Sequence, residues 1–117
     1  VELQALLGSL IEKVKGSEGA FLMAFDGLLI EGVAKEGVDL EVIGAEYAAL
    51  LREAVSFGRE IGLGRTKGIS ILSEGRSLSF AFPEGDLTLG VLVGAAGCHA
   101  RARHLLRHML PTIEREF

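Results

Sequence analysis

The chain has one cysteine, Cys98, no asparagine and a single glutamine. One cysteine excludes an intrachain disulfide and leads us to expect a reducing, cytoplasmic setting. Scarce Asn and Gln suit a heat-tolerant source, although genomic base composition explains them as well. No apolar run approaches the roughly 20 residues that span a bilayer, so membrane insertion is not expected. The first apolar residues are spaced rather than continuous, unlike the h-region of a signal peptide. Basic residues are outnumbered, 12 Lys and Arg against 16 Asp and Glu, for a formal net charge of −4. That balance argues against a nucleic-acid binder held by phosphate contacts. A phosphate-cradling loop is missing too: GLGRTKG at 62–68 has glycines and a lysine, but not at the GxxxxGK[ST] spacing.

What is present fits one folded unit spanning 1–117. Its 117 residues are 49% apolar and 24% charged, enough for one core and not for two. Leu3, Leu6, Leu7, Leu10, Ile11 and Val14 repeat at helical spacing and predict a first amphipathic helix, with Gly16 after its end. GAFLMAF (19–25) and LLIEGVA (28–34) read as strands, and Asp26-Gly27 between them signals a tight hairpin with a primed turn. Asp39 is placed to cap a long helix starting at Leu40 and ending near Gly62 and Gly64.

Three more strands follow: KGISILS (67–73), RSLSFAF (76–82) and LTLGVLVGA (87–95). In the second of these, Leu78, Phe80 and Phe82 alternate with Ser77, Ser79 and Ala81. A last helix over 99–117 would turn Ala102, Leu105, Leu106, Met109, Ile113 and Phe117 inward, with a kink or break at Pro111. The order α-β-β-α-β-β-β-α with short turns predicts an α+β fold. It has a five-stranded antiparallel sheet, two helices on one face and the long middle helix on the other.

The middle helix has more apolar surface than one sheet needs. Ile43, Tyr47, Leu50, Ala54, Phe57 and Ile61 form one stripe. Leu40, Gly44, Ala48, Leu51, Val55, Gly58 and Gly62 form a second beside it. One stripe should cover the helix's own sheet. The stripe rich in Gly and Ala suits close packing against a second copy, since each helical Gly costs about 1 kcal/mol unless proximity repays it. The strand carrying Ile69 and Ile71 should be an edge, which a two-fold dimer would pair. The expected self-interface is therefore Gly44, Ala48, Leu51, Val55, Gly58, Gly62, Ile69 and Ile71. A helix buried on both sides within a monomer is the alternative.

This pattern resembles the roadblock/dynein-light-chain domain over nearly the whole chain. The resemblance is carried by GAFLMAFDGLLIEG (19–32), the helix at 40–62 and GISILSEGRSLSFAF (68–82). Longin and profilin-like folds share part of the order. The resemblance implies a homodimeric or paired adaptor of a prokaryotic cytoplasm that binds a Ras-like small GTPase, without hydrolysing GTP itself. It also implies that the polar arc of the middle helix (Glu46, Arg52, Glu53, Ser56, Arg59 and Glu60) is the surface such a GTPase meets. A small-molecule sensor with a pocket between helix and sheet is the second reading.

No constellation for catalysis stands out, and neither cofactor nor metal is expected. Cys98-His99 are adjacent residues without a carboxylate to orient the imidazole, and the thiol is expected to be buried or half-buried. His104 and His108 have a metal-compatible spacing, but Leu105, Leu106 and Arg107 lie between them where HExxH would place a Glu. A solvated helix face is the plainer reading. Arg101, Arg103, Arg107 and Arg115 make the last helix basic. The first two oppose its dipole, by about 0.3–1 kcal/mol each. Neutralisation by the chain's own glutamates is the expectation.

Overall fold

A computed structural model describes residues 2–117; Val1 lies outside the described residues. The elements are α1 (Leu3–Lys13), β1 (Ser17–Ala24), β2 (Leu29–Ala34), α2 (Leu40–Glu60), β3 (Gly68–Leu72), β4 (Arg76–Ala81), β5 (Leu87–Gly94) and α3 (His99–Glu116). The five strands form one antiparallel sheet in the order β2-β1-β5-β4-β3. The fold is α+β, and β2 and β3 are its two outer strands.

Each strand's alternation divides its side chains between two cores. On one face, Ala20, Leu22, Leu89, Val91 and Val93 meet Leu7 and Leu10 of α1 and Ala102, Leu106, Leu110 and Ile113 of α3. On the other, Phe21, Met23, Leu78, Phe80, Phe82 and Leu92 meet Leu40, Leu51 and Val55 of α2. The small residues among the strands make room for large ones. A Cβ on Gly90 would lie 2.2 Å from the Phe21 ring, so Gly90 is the seat of that phenylalanine.

Four local expectations change. The β1–β2 hairpin is not a two-residue primed turn, because Asp26 does not adopt positive φ. Gly27 alone does, at +97°. Gly27 N–H donates to Ala24 O, Ala24 N–H donates to Leu28 O, and Asp26 Oδ1 accepts from Leu28 N–H. This is a three-residue loop closed by glycine in the left-handed region. Helix α3 runs unbroken through Pro111, and its buried side includes Leu110. Phe117, at its end, is exposed rather than inward. Cys98 is also exposed, at the position before α3.

The ends of α2 form as its sequence directs. Asp39 Oδ1 accepts from the backbone N–H groups of Glu41 and Val42. At the other end Gly62 takes φ +80°. Its N–H donates to Arg59 O, and the Leu63 N–H donates to Gly58 O. This paired closure satisfies carbonyls that the helix would otherwise leave bare.

Candidate functional site

The two stripes of α2 are arranged oppositely to the sequence expectation. Leu40, Gly44, Ala48, Leu51, Val55 and Gly58, from the Gly- and Ala-rich stripe, are buried within the protomer. Gly44 explains why: a Cβ there would lie 2.4 Å from Gly27 O, and one on Gly27 would lie 2.7 Å from Gly44 O. The helix backbone rests on the β1–β2 loop, so the proximity that repays the glycine is internal. Gly58 sits against the α2–β3 loop, where a Cβ would come within 3.2 Å of Thr66 Oγ1. Gly62 lies beyond the helix as its left-handed cap. Gly44, Ala48, Leu51, Val55 and Gly58 are therefore packed within the fold of one chain rather than offered to a second copy, whereas Gly62 stays exposed.

The other stripe faces outward. Leu50, Phe57 and Ile61 are 51%, 57% and 73% exposed, with Ile43, Tyr47 and Ala54 half-buried along the same line. Leu63, just past the helix, is exposed too. Tyr47 leans over Phe80, ring centroids 6.2 Å apart, and with Ile71, Leu78 and Leu92 it lines a cleft of about 180 Å³ on the β3 side of the helix. Ile69 and Ile71 pack against the same core and stay half-buried.

Strand β3 pairs with β4 in unbroken register from Gly68↔Ala81 to Leu72↔Ser77 and has no neighbour on its other side. It carries no charged residue and no proline. An uncharged open edge is of the kind that can pair with a further strand. Size could have shown the correct stripe in the sequence: the small residues mark where a backbone comes close, and the large Leu50, Phe57 and Ile61 stay exposed.

The polar arc of α2 is exposed throughout: Glu46, Arg52, Glu53, Ser56, Arg59 and Glu60. Its charges separate into two rows. Glu46, Glu53 and Glu60 recur every seven residues beside the apolar stripe. Arg52 and Arg59 share the same spacing toward the β1–β2 loop, where Arg52 Nη1 donates to Phe25 O at 3.2 Å. Arg59 borders a cavity of about 200 Å³ at the end of α2, lined also by Phe25, Val55, Arg65 and Phe82. Arg65 Nη1 closes its floor by donating to Phe82 O at 2.8 Å.

The histidines do not assemble a reaction centre. His99 Nδ1 lies 3.3 Å from Ser79 Oγ, which in turn lies 3.3 Å from Ser70 Oγ. His104 and His108 stack edge to face at 4.3 Å on the outer side of α3. Among the described residues no group of three or more His, Cys, Asp or Glu is gathered for a metal ion. No described helix is long and apolar enough to cross a membrane.

A roadblock/LC7 domain from Streptomyces avermitilis superposes with a TM-score of 0.85 at 18% identity, covering 98% of this chain and 97% of that one. The chain has the roadblock fold. Myxococcus xanthus MglB matches with a TM-score of 0.83 at 14% identity, over 96% and 91% of the two chains. Acanthamoeba castellanii profilin II matches with 0.68 at 13% identity, over 98% of each. No protein-family model and no curated protein matches the sequence. The roadblock fold is thus shared in shape where little of the sequence is. The surfaces described above are this chain's own evidence for what it does.

Proposed function

We propose that this chain is a non-enzymatic, homodimeric adaptor that binds a Ras-like small GTPase and responds to its nucleotide state in a prokaryotic cytoplasm. One observation carries the reading: Leu50, Phe57 and Ile61 stand exposed on α2, Ile69 and Ile71 are half-buried on β3 against the core that Tyr47 also covers, and the outer edge of β3 is open. Burying about 25 cal/mol of transfer free energy per Å² on such a surface favours association. Pairing the edge satisfies the N–H and C=O groups that β3 leaves open. The roadblock fold, shared with MglB, fits a regulator of this kind. The polar arc of α2, with Arg52 and Arg59 in one row, is the GTPase-facing surface in this reading.

The mechanism is selective binding. An adaptor of this type shifts its partner only by the difference in its affinity for the partner's two nucleotide states. The test is a pull-down of purified Ras-like GTPases from the same genome, loaded with GDP or a non-hydrolysable GTP analogue. Retention in one state, lost on reversing Arg52 and Arg59 to Glu, supports the reading. Equal retention by wild type and the charge-reversed variant would count against that surface.

A small-molecule sensor ranks second. The cavity beside Arg59 is partly open and lies at the end of α2, among Arg65, Thr66 and the β4–β5 loop. At about 200 Å³ it falls below the roughly 300–1,000 Å³ usual for ligand pockets. A ligand-dependent rise in melting temperature of a monomeric protein would promote it. The exposed Cys98 thiol next to a His99 engaged with Ser79 offers no base and orienter for nucleophilic catalysis. Full retention of GTPase binding in Cys98→Ala is the expected outcome.

A further inference from the structure

The outer face of α3 has a charge pattern that the fold does not explain. Arg101, Arg103, His104, Arg107, His108 and Arg115 are all exposed, and the helix has no acidic residue before Glu114. The expected neutralisation by the chain's own glutamates does not occur. Among the described residues the ion pairs are Arg76 with Glu18 and Arg65 with Glu114; none reaches Arg101, Arg103 or Arg107. Glu114 is turned away, accepting from the Glu84 N–H at 2.6 Å. Arg103 and Arg107 are four apart, a spacing at which like charges weaken a helix. Arg101 and Arg103 also sit at the end where the helix dipole disfavours cations. Stability alone would select none of this in a chain of net charge −4.

We infer that this face docks an acidic segment of a partner protein. Arg103, His104, Arg107 and His108, with Ala100 at the N-terminal end of the row, border a shallow depression of about 570 Å³. The two guanidinium groups are one helical turn apart, about 6 Å along the axis. Carboxylates two residues apart on an extended strand, or four apart on a helix, match that step. Guanidinium forks grip carboxylates in bidentate fashion, and the imidazole pair adds donors at the same depth. A lipid surface fits less well. No large apolar side chain is exposed within the stripe, the one on α3 being Phe117 at its end, and interfacial helices insert such residues. The face lies on the opposite side of the sheet from α2, so self-pairing through β3 leaves it open.

The test uses fluorescein-labelled decaglutamate and the full chain. Wild type should bind at low salt and weaken about tenfold between roughly 0.05 and 0.3 M salt, as screening demands. Arg103→Glu with Arg107→Glu should lose about tenfold or more in affinity, a difference of about 1.4 kcal/mol. Lys35→Glu with Lys67→Glu makes the same change of net charge elsewhere on the surface and should bind as wild type does. Matching circular dichroism spectra would confirm folding, with Arg103→Gln and Arg107→Gln as substitutes if the reversal does not fold. Three results overturn the inference: no binding by wild type, equal loss in both reversed variants, or capture by phosphatidylserine vesicles without capture of decaglutamate.

Discussion

The two outer strands of the sheet are finished differently. Strand β2 carries a bulge where its register against β1 shifts between Leu22 and Met23. It presents Glu31, and α1 and α2 both pack against it. Its Gly32 takes the tip of Leu40, whose Cδ1 would lie 2.4 Å from a Cβ there. Strand β3 has none of these devices: its ladder with β4 is regular, its residues are Gly, Ile, Ser and Leu, and the apolar stripe of α2 lies alongside. Bulges and inward or edge charges are how a monomeric sheet protects an edge. Strand β3 has no such protection, and the proposed self-interface rests on that asymmetry. Leu28 and Ile30 are exposed on the β2 side, at its hairpin end, where the bulge interrupts the regular edge.

The contrast can be broken most forcefully from inside. Gly44→Val places branched carbon where Gly27 O already stands, and should cost about 3 kcal/mol or more of stability as overpacking against backbone. Urea unfolding checks it. A variant as stable as wild type would mean that the small stripe is not the protomer's own packing surface. Next in size, Phe57→Glu should leave the fold intact and weaken self-association about 100-fold, about 2.7 kcal/mol, as loss of a central aromatic anchor does. Sedimentation equilibrium over a concentration series gives that value.

A charge on either edge sharpens the comparison. Ser70→Lys in β3 should weaken association about tenfold, whereas Ile30→Lys in β2 should leave it unchanged. Equal effects would erase the distinction between the edges. Smallest, Asp39→Ala should cost about 1 kcal/mol by removing the bonds its carboxylate accepts from Glu41 and Val42. It should lower the melting temperature without altering the mass in solution.

Element order and the division of helices between faces were legible in the sequence because periods of 3.6 and 2 are local signals. The cap at Asp39 and the left-handed glycine at Gly62 were legible for the same reason. Which α2 stripe faces its own sheet was not. Both are apolar, and period cannot say which one meets a neighbour until that neighbour is placed. The deciding contact, Gly44 against Gly27, joins residues from separate elements. The hairpin type was misread because Asp-Gly serves a three-residue loop as readily as a two-residue one, and only Gly27 takes positive φ. The unpaired arginines of α3 were likewise invisible, since ion pairing depends on where distant glutamates come to lie. Ile69 and Ile71 kept their expected place on an edge strand, although their side chains are half-buried against their own core.

The proposed self-interface is the Phe57 stripe together with the β3 edge. It is tested most directly by light-scattering mass in solution, on wild type and Phe57→Glu at the same concentration. The account predicts twice the chain mass for wild type and the chain mass for the variant. A wild-type protein that stays at the chain mass as concentration rises would contradict it.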